Sequence, residues 1–227
     1  MAFTLDRVVP WGRSFAEYEG MFALGADDLR RRILGCADGP ASFNVEAIER
    51  GGDVVSVDPL YAFSAEEIRG QIKTACPQIL EQTWQNRHDF VWTDFASIEE
   101  LGRARLKAMA RFLADYEASR ESGRYLEAEL PRLPFLDGAF GLALCSHFLF
   151  LYSEQFDEPF HVESVVELCR VADEVRIFPL LGLGNKPTPH VRAVMRAVER
   201  LGRAARIERV DYEFQRGGNE MLRIVSS

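Results

Sequence analysis

No CxxC pair, no free-standing basic run and no long apolar stretch occurs in the 227 residues of this chain. Each absence removes a class of function. The four cysteines, Cys36, Cys76, Cys145 and Cys169, lack the spacing of a zinc site or a redox dithiol. Cys145 and Cys169 lie inside apolar runs, so reduced core thiols and no metal site are the expectation. The formal charge is −8, and the densest basic cluster, Arg30 to Arg32, directly precedes a buried-looking strand. A sequence-independent nucleic-acid binder draws its affinity from lysine and arginine on phosphates, so nucleic acid is not the expected partner. The longest apolar run, residues 139–152, is interrupted by Ser146 and His147 and falls short of the roughly 20 residues that a spanning helix needs. The opening MAFTLDRVVPWGRSF has neither an apolar signal core nor a small-residue cleavage site. A cytoplasmic protein without a membrane partner is the expectation.

What the chain does have is strand and helix in alternation. Its 47% hydrophobic and 27% charged residues are those of a globular protein, and its length suits a single α/β domain, residues 1–227, with additions. In the N-terminal helical segment, residues 1–29, Ser14 followed by Glu17 makes a capping box, and Phe15, Tyr18, Met21 and Phe22 recur at helical spacing. The strand ILGC follows, then a predicted helix over roughly Pro40 to Arg50, then the valine-rich strand DVVSVDPLY. Residues 62–122 show no strong strand; Ser64 with Glu67 and Ser97 with Glu100 mark helix starts, so this stretch reads as a helical insertion. Strand patterns resume in GRYLEAEL and LPFLDGAFGLALCSHFLFLY, followed by a helix SVVELCRVA, a strand EVRIFPLL and a helix HVRAVMRAVERLGRA. ARIERVDYEF and NEMLRIV read as two last strands joined by a Gly-Gly turn. The alternation predicts a doubly wound, mostly parallel sheet closed by an antiparallel terminal hairpin.

The first strand runs into Gly35-Cys36-Ala37-Asp38-Gly39. A dinucleotide fingerprint, G-x-G-x-x-G, asks for glycine where this chain has Ala37 and Pro40, so two of its three glycines are absent. The loop instead resembles the G-x-G-x-G loop of class I S-adenosylmethionine-dependent methyltransferases, the type 11-like members in particular. Their ligand lacks phosphate but still needs close approach to a backbone of small residues. Three further features follow in that family's order. Asp58 ends the second strand, 23 residues after Gly35, with Pro59, Leu60 and Tyr61 behind it. AELPRLPFLDGAFGLALCSHF resembles the family's stretch of an acid, LPF, an Asp, a Phe and a buried strand. The helix–strand–GlyGly–strand ending fits its antiparallel last strand.

The resemblance covers roughly residues 30–60 and 124–227 and implies a seven-stranded Rossmann-like methyltransferase sheet with S-adenosylmethionine as cofactor. It assigns Gly35, Cys36, Ala37 and Gly39 to the methionine and ribose portions, Asp58 to the ribose hydroxyls, and Pro59 to a face of adenine. Glu129 and Leu130 fall near the adenine amino group, and Ser146 and His147 at the end of the fourth strand, facing the methyl donor. Arg13 and Tyr18 lie on a segment that folds over the cofactor, Arg13 pairing with the methionine carboxylate. His147 is the nearest base by position, with His88 and His161 behind it.

Each of these has a plainer reading. The glycines serve a strand-to-helix turn, Asp58 a helix cap, Glu129 a polar strand face with Tyr125 and Glu127, and Arg13 and Tyr18 an ordinary amphipathic helix. His147 is more often a packed histidine than a base. Trp84, Arg87, His88 and Trp92 either line an acceptor pocket or pack the insertion. Three positions depart from the family: Ile33 replaces an acid before the glycine loop, Gly141 an Asp, and Ala172-Asp173-Glu174 a Pro-Gly-Gly turn. CSHF, in place of Asn/Asp-Pro-Pro-Tyr/Phe, disfavours planar amino-group acceptors, and no Pro-Cys pair or Asp/Asn triad for magnesium is present. Methyl transfer to a small organic acceptor is the expectation. A non-catalytic S-adenosylmethionine or S-adenosylhomocysteine binder that regulates a partner stays open through Ile33 and Gly141. A nicotinamide-dependent oxidoreductase is disfavoured by Ala37, Pro40 and the closing hairpin.

Overall fold

The structure, a computed structural model, describes residues 8–226; the first seven residues of the N-terminal segment and Ser227 lie outside the described residues. Thirteen regular elements follow in chain order: α1 Phe15–Phe22, β1 Arg32–Cys36, α2 Phe43–Glu49, β2 Asp53–Val57, α3 Ala65–Gln85, α4 Ile98–Glu121, β3 Tyr125–Leu126, β4 Phe140–Ser146, α5 Glu158–Val171, β5 Ala172–Phe178, α6 Val191–Arg200, β6 Arg203–Arg209 and β7 Glu220–Ser226. The strands form one seven-stranded sheet in the order β3-β2-β1-β4-β5-β7-β6. Pairing is parallel from β3 to β5, and β7 runs antiparallel to both β5 and β6.

Helices cover both faces, so the central strands β1 and β4 are largely apolar and buried on both sides. One face packs Leu34, Val55, Ala143 and Val175 against Val165 and Leu168 of α5 and Val194 and Val198 of α6. The other packs Ile33, Val54, Leu142 and Leu144 against Tyr18, Met21 and Phe22 of α1 and Phe43 and Ala47 of α2. The insertion is a pair of long helices, α3 and α4. They share a cluster of Ile68, Ile72, Met109, Phe112 and Tyr116 with Tyr61 and Tyr125.

Local signals set the helix starts. The Ser14–Glu17 and Ser64–Glu67 capping boxes both form, with Ser14 N–H donating to Glu17 at 3.0 Å and Ser64 N–H to Glu67 at 2.9 Å. At α4 only half of the box forms: Ser97 Oγ accepts from Glu100 N–H at 3.2 Å, but the Glu100 carboxylate turns to Ala96 N–H. Several boundaries differ from the sequence reading. The helix expected from Pro40 begins at Phe43, because residues 40–42 are drawn under the N-terminal segment by a Ser42 N–H bond to Arg13 O. Of GRYLEAEL only Tyr125 and Leu126 pair in the sheet. ARIERVDYEF leaves the ladder after Arg209, since Val210, Tyr212 and Phe214 turn into the core, and the link to β7 is a ten-residue excursion rather than a tight turn.

The departures at 141 and 172–174 are filled by an ion-pair network. Glu174 accepts from Arg31 at 2.8 Å and from Arg176 and Arg223 at 2.7 Å each. Although burial alone would raise it, the three guanidiniums hold its carboxyl at about 2. Arg31 also bonds the carbonyl of Gly141, where a Cβ would press on the Arg31 side chain. β5 starts immediately at Ala172, with no turn after α5.

Candidate functional site

In an open parallel sheet, ligands bind beyond the carboxyl ends of strands where the strand order reverses. Here that point lies between β1 and β4: from β1 the chain goes on to β2 on one side, and from β4 to β5 on the other. Two adjoining cavities open there. One, of about 120 Å³, is lined by Arg13, Tyr18, Ala37, Asp38, Gly39, Asp58, Ser146 and His147. The second, of about 530 Å³, is bordered by Cys36, Ala37, Gly39, Asp58, Pro59, Glu129 and Leu130. Val8, Val9 and Phe148 stand on the boundary between them.

The loop after β1 is shaped by two left-handed residues, Ala37 at φ 57° and Gly39 at φ 53°. The second suits glycine; the first places an alanine where its Cβ is disfavoured. The loop is tied to the end of β2. Ala37 N–H donates to Val57 O at 2.9 Å, and Gly39 N–H to Asp58 Oδ2 at 2.8 Å. Asp58 Oδ1 accepts from Leu60 N–H at 2.8 Å, capping the short 3₁₀ turn Pro59–Ala62. Asp58 is therefore both a cap and a cavity wall. Burial pushes its carboxyl up to about 6 against those two N–H groups, with the Glu129 charge adding to the rise.

Asp38, which is not among the residues that the family resemblance assigns, is a central group of the site. Its Oδ1 accepts from Tyr18 OH at 2.8 Å and its Oδ2 from Ser56 OH at 2.6 Å. Burial pushes its carboxyl to about 6, and burial with the neighbouring Asp38 charge drives the Tyr18 phenol well above its ordinary value. Arg13 reaches the cavity from the N-terminal segment. Its Nη1 donates to Trp11 O at 3.3 Å, while its buried Nε has no partner among the described residues.

At the end of β4, Ser146 is buried and its hydroxyl meets His147 Nδ1 at 2.9 Å. His147 is left-handed at φ 51°, with its N–H on Phe178 O at 2.7 Å. Burial, with the Arg13 and Arg105 charges behind it, holds its imidazole well below the usual histidine range and therefore neutral.

The other histidines expected as bases lie elsewhere. His88 is exposed on the insertion, and both His161 ring nitrogens meet carbonyls, Asp157 O at 2.7 Å and Leu149 O at 2.8 Å. Trp84, Arg87, His88 and Trp92 do not line the cavity. Trp84 is half exposed beneath the Arg87 guanidinium, and Trp92 packs on Phe214 with its indole N–H on Arg87 O. The insertion contributes Ile79, Thr83, Asp89 and Phe90 instead. Asp89 and Phe90 belong to a roof made of three remote segments. Val91 N–H bonds Phe214 O at 2.7 Å, Arg216 N–H bonds Asp89 O at 2.9 Å, and Phe90 bridges Gln215. Asn185 Nδ2 then reaches Asp89 O at 2.9 Å, and Gln215 Nε2 reaches Gly182 O at 2.7 Å.

All four cysteines are free and buried. Among the described residues no group of three or more His, Cys, Asp or Glu is arranged to hold a metal, and no helix is long and apolar enough to cross a membrane.

No family model matches the chain. It is 34% identical over 220 residues to the uncharacterized protein MJ0045 of Methanocaldococcus jannaschii, covering 96% of each. Among solved structures it is similar to the mitomycin 7-O-methyltransferase MmcR, with a TM-score of 0.50 at 13% identity over 94% of this chain and 54% of that one. A putative S-adenosyl-L-methionine-dependent methyltransferase of Methanococcus maripaludis aligns at a TM-score of 0.47 and 10% identity, over 94% of this chain and 83% of that one.

Proposed function

The chain belongs to the family of the archaeal protein MJ0045 and has the class I methyltransferase fold, and from that premise we propose that it is an S-adenosylmethionine-dependent methyltransferase acting on a small organic acceptor. The observation that carries the reading is the junction of Gly39 and Asp58 at the carboxyl ends of β1 and β2, with Arg13 lining the same cavity. The residues fit the cofactor. Ala37 and Gly39 line both cavities and let a ligand approach closely, whereas Gly35 lines neither and the space beside it is filled by the Asp38 carboxylate; two of the Asp58 lone pairs are taken by N–H groups, leaving others for ribose hydroxyls. Pro59 and Leu130 offer apolar surface to adenine, with Glu129 at the rim for its amino group. Arg13 offers a charge-assisted bond to the carboxylate, and Tyr18 braces the loop beside it.

When bound, the cofactor supplies a methyl group already activated by its sulfonium. The protein's work is then to align the acceptor and exclude water. The roof of residues 89–91, 183–185 and 214–216 performs the exclusion, and Phe90, Phe148 and Phe214 give the acceptor an apolar bed. His147, neutral and fixed by Ser146, is placed to accept a proton, but its lowered basicity favours acceptors that already carry a free lone pair.

Calorimetric titration of the purified chain with S-adenosylmethionine, S-adenosylhomocysteine and NADH tests the reading: micromolar binding of the first two and none of NADH is expected. Turnover on a panel of small amines, carboxylates, thiols and hydroxyl compounds then separates an enzyme from a ligand-binding regulator. Failure to bind either sulfur ligand would sink the proposal.

A further inference from the structure

The roof brings three polar side chains to the cavity, Asp89, Asn185 and Gln215. Two are amides, and what they bond fixes how they are turned. A main-chain carbonyl can only accept, so Asn185 gives its Nδ2 to Asp89 O at 2.9 Å and Gln215 its Nε2 to Gly182 O at 2.7 Å. The amide oxygens are left over. Neither accepts a hydrogen bond among the described residues, and neither is a buried orphan. Thr83, which lines the cavity from α3, donates its hydroxyl to Ile79 O at 2.8 Å and keeps only lone pairs. The Asp89 carboxylate has no neighbouring donor among the described residues except exposed His88, whose Nε2 lies 3.4 Å away.

The polar groups of the roof are thus biased one way: their donor ends are turned to the main chain and their acceptor ends remain. Beside them Phe90 and Phe214 stack with ring centroids 4.9 Å apart, and both rings belong to residues of the cavity wall. Aromatic faces attract cations, and so does a carboxylate. Arg13, which also lines the cavity, comes from the N-terminal segment and not from the roof. One carboxylate, two amide oxygens and a pair of rings form the complement of a cationic nitrogen group. An acceptor's carboxylate would meet like charge and lone pairs there. We infer that the roof selects acceptors that carry a cationic nitrogen, with Asp89 as its counter-ion and Asn185 and Gln215 as its hydrogen-bond acceptors. A protonated amine has no lone pair for a methyl group, so this nitrogen is a handle and another atom of the same molecule is methylated. The inference rests on the proposed methyltransferase reading and names its acceptor class.

The test is calorimetry on the full chain saturated with S-adenosylhomocysteine, using two matched sets of probes at neutral pH. One set is 2-phenylethylamine, 2-phenylethanol and phenylacetate; the other is tryptamine, indole-3-ethanol and indole-3-acetate. Within each set the ring is shared and the end group is an ammonium, a hydroxyl or a carboxylate. In at least one set the ammonium probe should bind tighter than its hydroxyl counterpart by about tenfold or more, with the carboxylate weakest. Equal affinities, a preference for the carboxylate, or no binding of either ammonium probe overturns the inference. Asp89→Asn should reduce the ammonium-to-hydroxyl ratio to about threefold or less, and Asp89→Lys should reverse the order of ammonium and carboxylate. The Asp89 main chain carries the roof bonds while its side chain meets only His88, so both variants keep the roof's fastening. A ratio that Asp89→Asn leaves unmoved would overturn Asp89 as the counter-ion. A chain that does not bind S-adenosylhomocysteine would overturn the cofactor reading instead, and the same probes titrated into the ligand-free chain then test the roof by itself.

Discussion

The floor and the roof of the cavity are built on different principles. The floor is the carboxyl end of β1 and β2, where Gly39, Asp58 and Leu60 are joined by hydrogen bonds between residues no more than 19 apart in sequence. The roof joins residues 89–91 to 214–216, more than 120 positions away, and adds Asn185 from a third segment. A floor of this kind is dictated by local chemistry and suits an invariant ligand. The roof exists only once the whole chain has folded, and it faces the part of the cavity where the acceptor is expected.

The division can be broken from either side. The largest effect is expected at the roof: Phe214→Ala removes a buried ring that packs on Phe90, Trp92 and Phe95, and should cost about 3 kcal/mol of stability in denaturant melts. S-adenosylhomocysteine affinity in the folded variant should stay within twofold; a parallel loss of affinity would erase the distinction. On the floor, Asp58→Ala should weaken the cofactor at least tenfold by calorimetry, and unchanged affinity would reduce Asp58 to a cap.

Acidification sharpens the same contrast. Burial holds the Asp38 and Asp58 carboxyls at about 6, so both are ionised above that pH and take up protons below it. The ionised forms are the ones that accept from hydroxyl and ammonium groups. Affinity for S-adenosylhomocysteine should therefore fall as pH drops through 6, by about tenfold between pH 7 and pH 5 for one coupled proton. Asp58→Asn should flatten part of that profile, and a flat profile in the unaltered protein would remove both carboxylates from ligand contact. The smallest effect is at Ala37, left-handed at φ 57°. Ala37→Gly relieves roughly 1 kcal/mol of backbone strain but frees the unfolded chain by a similar amount. Thermal melts should show a gain below about 1 kcal/mol, and a clear loss of stability would mean that the methyl group of Ala37 packs usefully.

The same contrast explains what could be read from the sequence. The alternation of strand and helix, the capping boxes at Ser14 and Ser64, and the loop from Gly35 to Asp58 depend on neighbours in the chain, and their spacing carries them. Asp38 was visible as a loop residue, yet its importance depends on Tyr18 and Ser56, brought to it from α1 and β2. For Trp84, Arg87, His88 and Trp92 the sequence leaves open whether they line a pocket or pack the insertion, because aromatic and basic side chains there give no sign of which way they point; they lie off the cavity, with Trp92 packed on Phe214. Phe90, one turn away, faces inward because the main chain beside it pairs with Gln215. The alternation of ARIERVDYEF was real, but the burial of Val210, Tyr212 and Phe214 overrode it.

The main-chain fastening of the roof has a further consequence. Val91 to Phe214 and Arg216 to Asp89 are joined through peptide groups, which every residue except proline can supply in full. The clasp is thus indifferent to most side chains mounted on it. Exchanging the ring at Phe90 or Phe214 for another large apolar group changes the chamber's contour while the latch remains shut. On the proposed function, acceptor choice is an interchangeable fitting on a fixed frame.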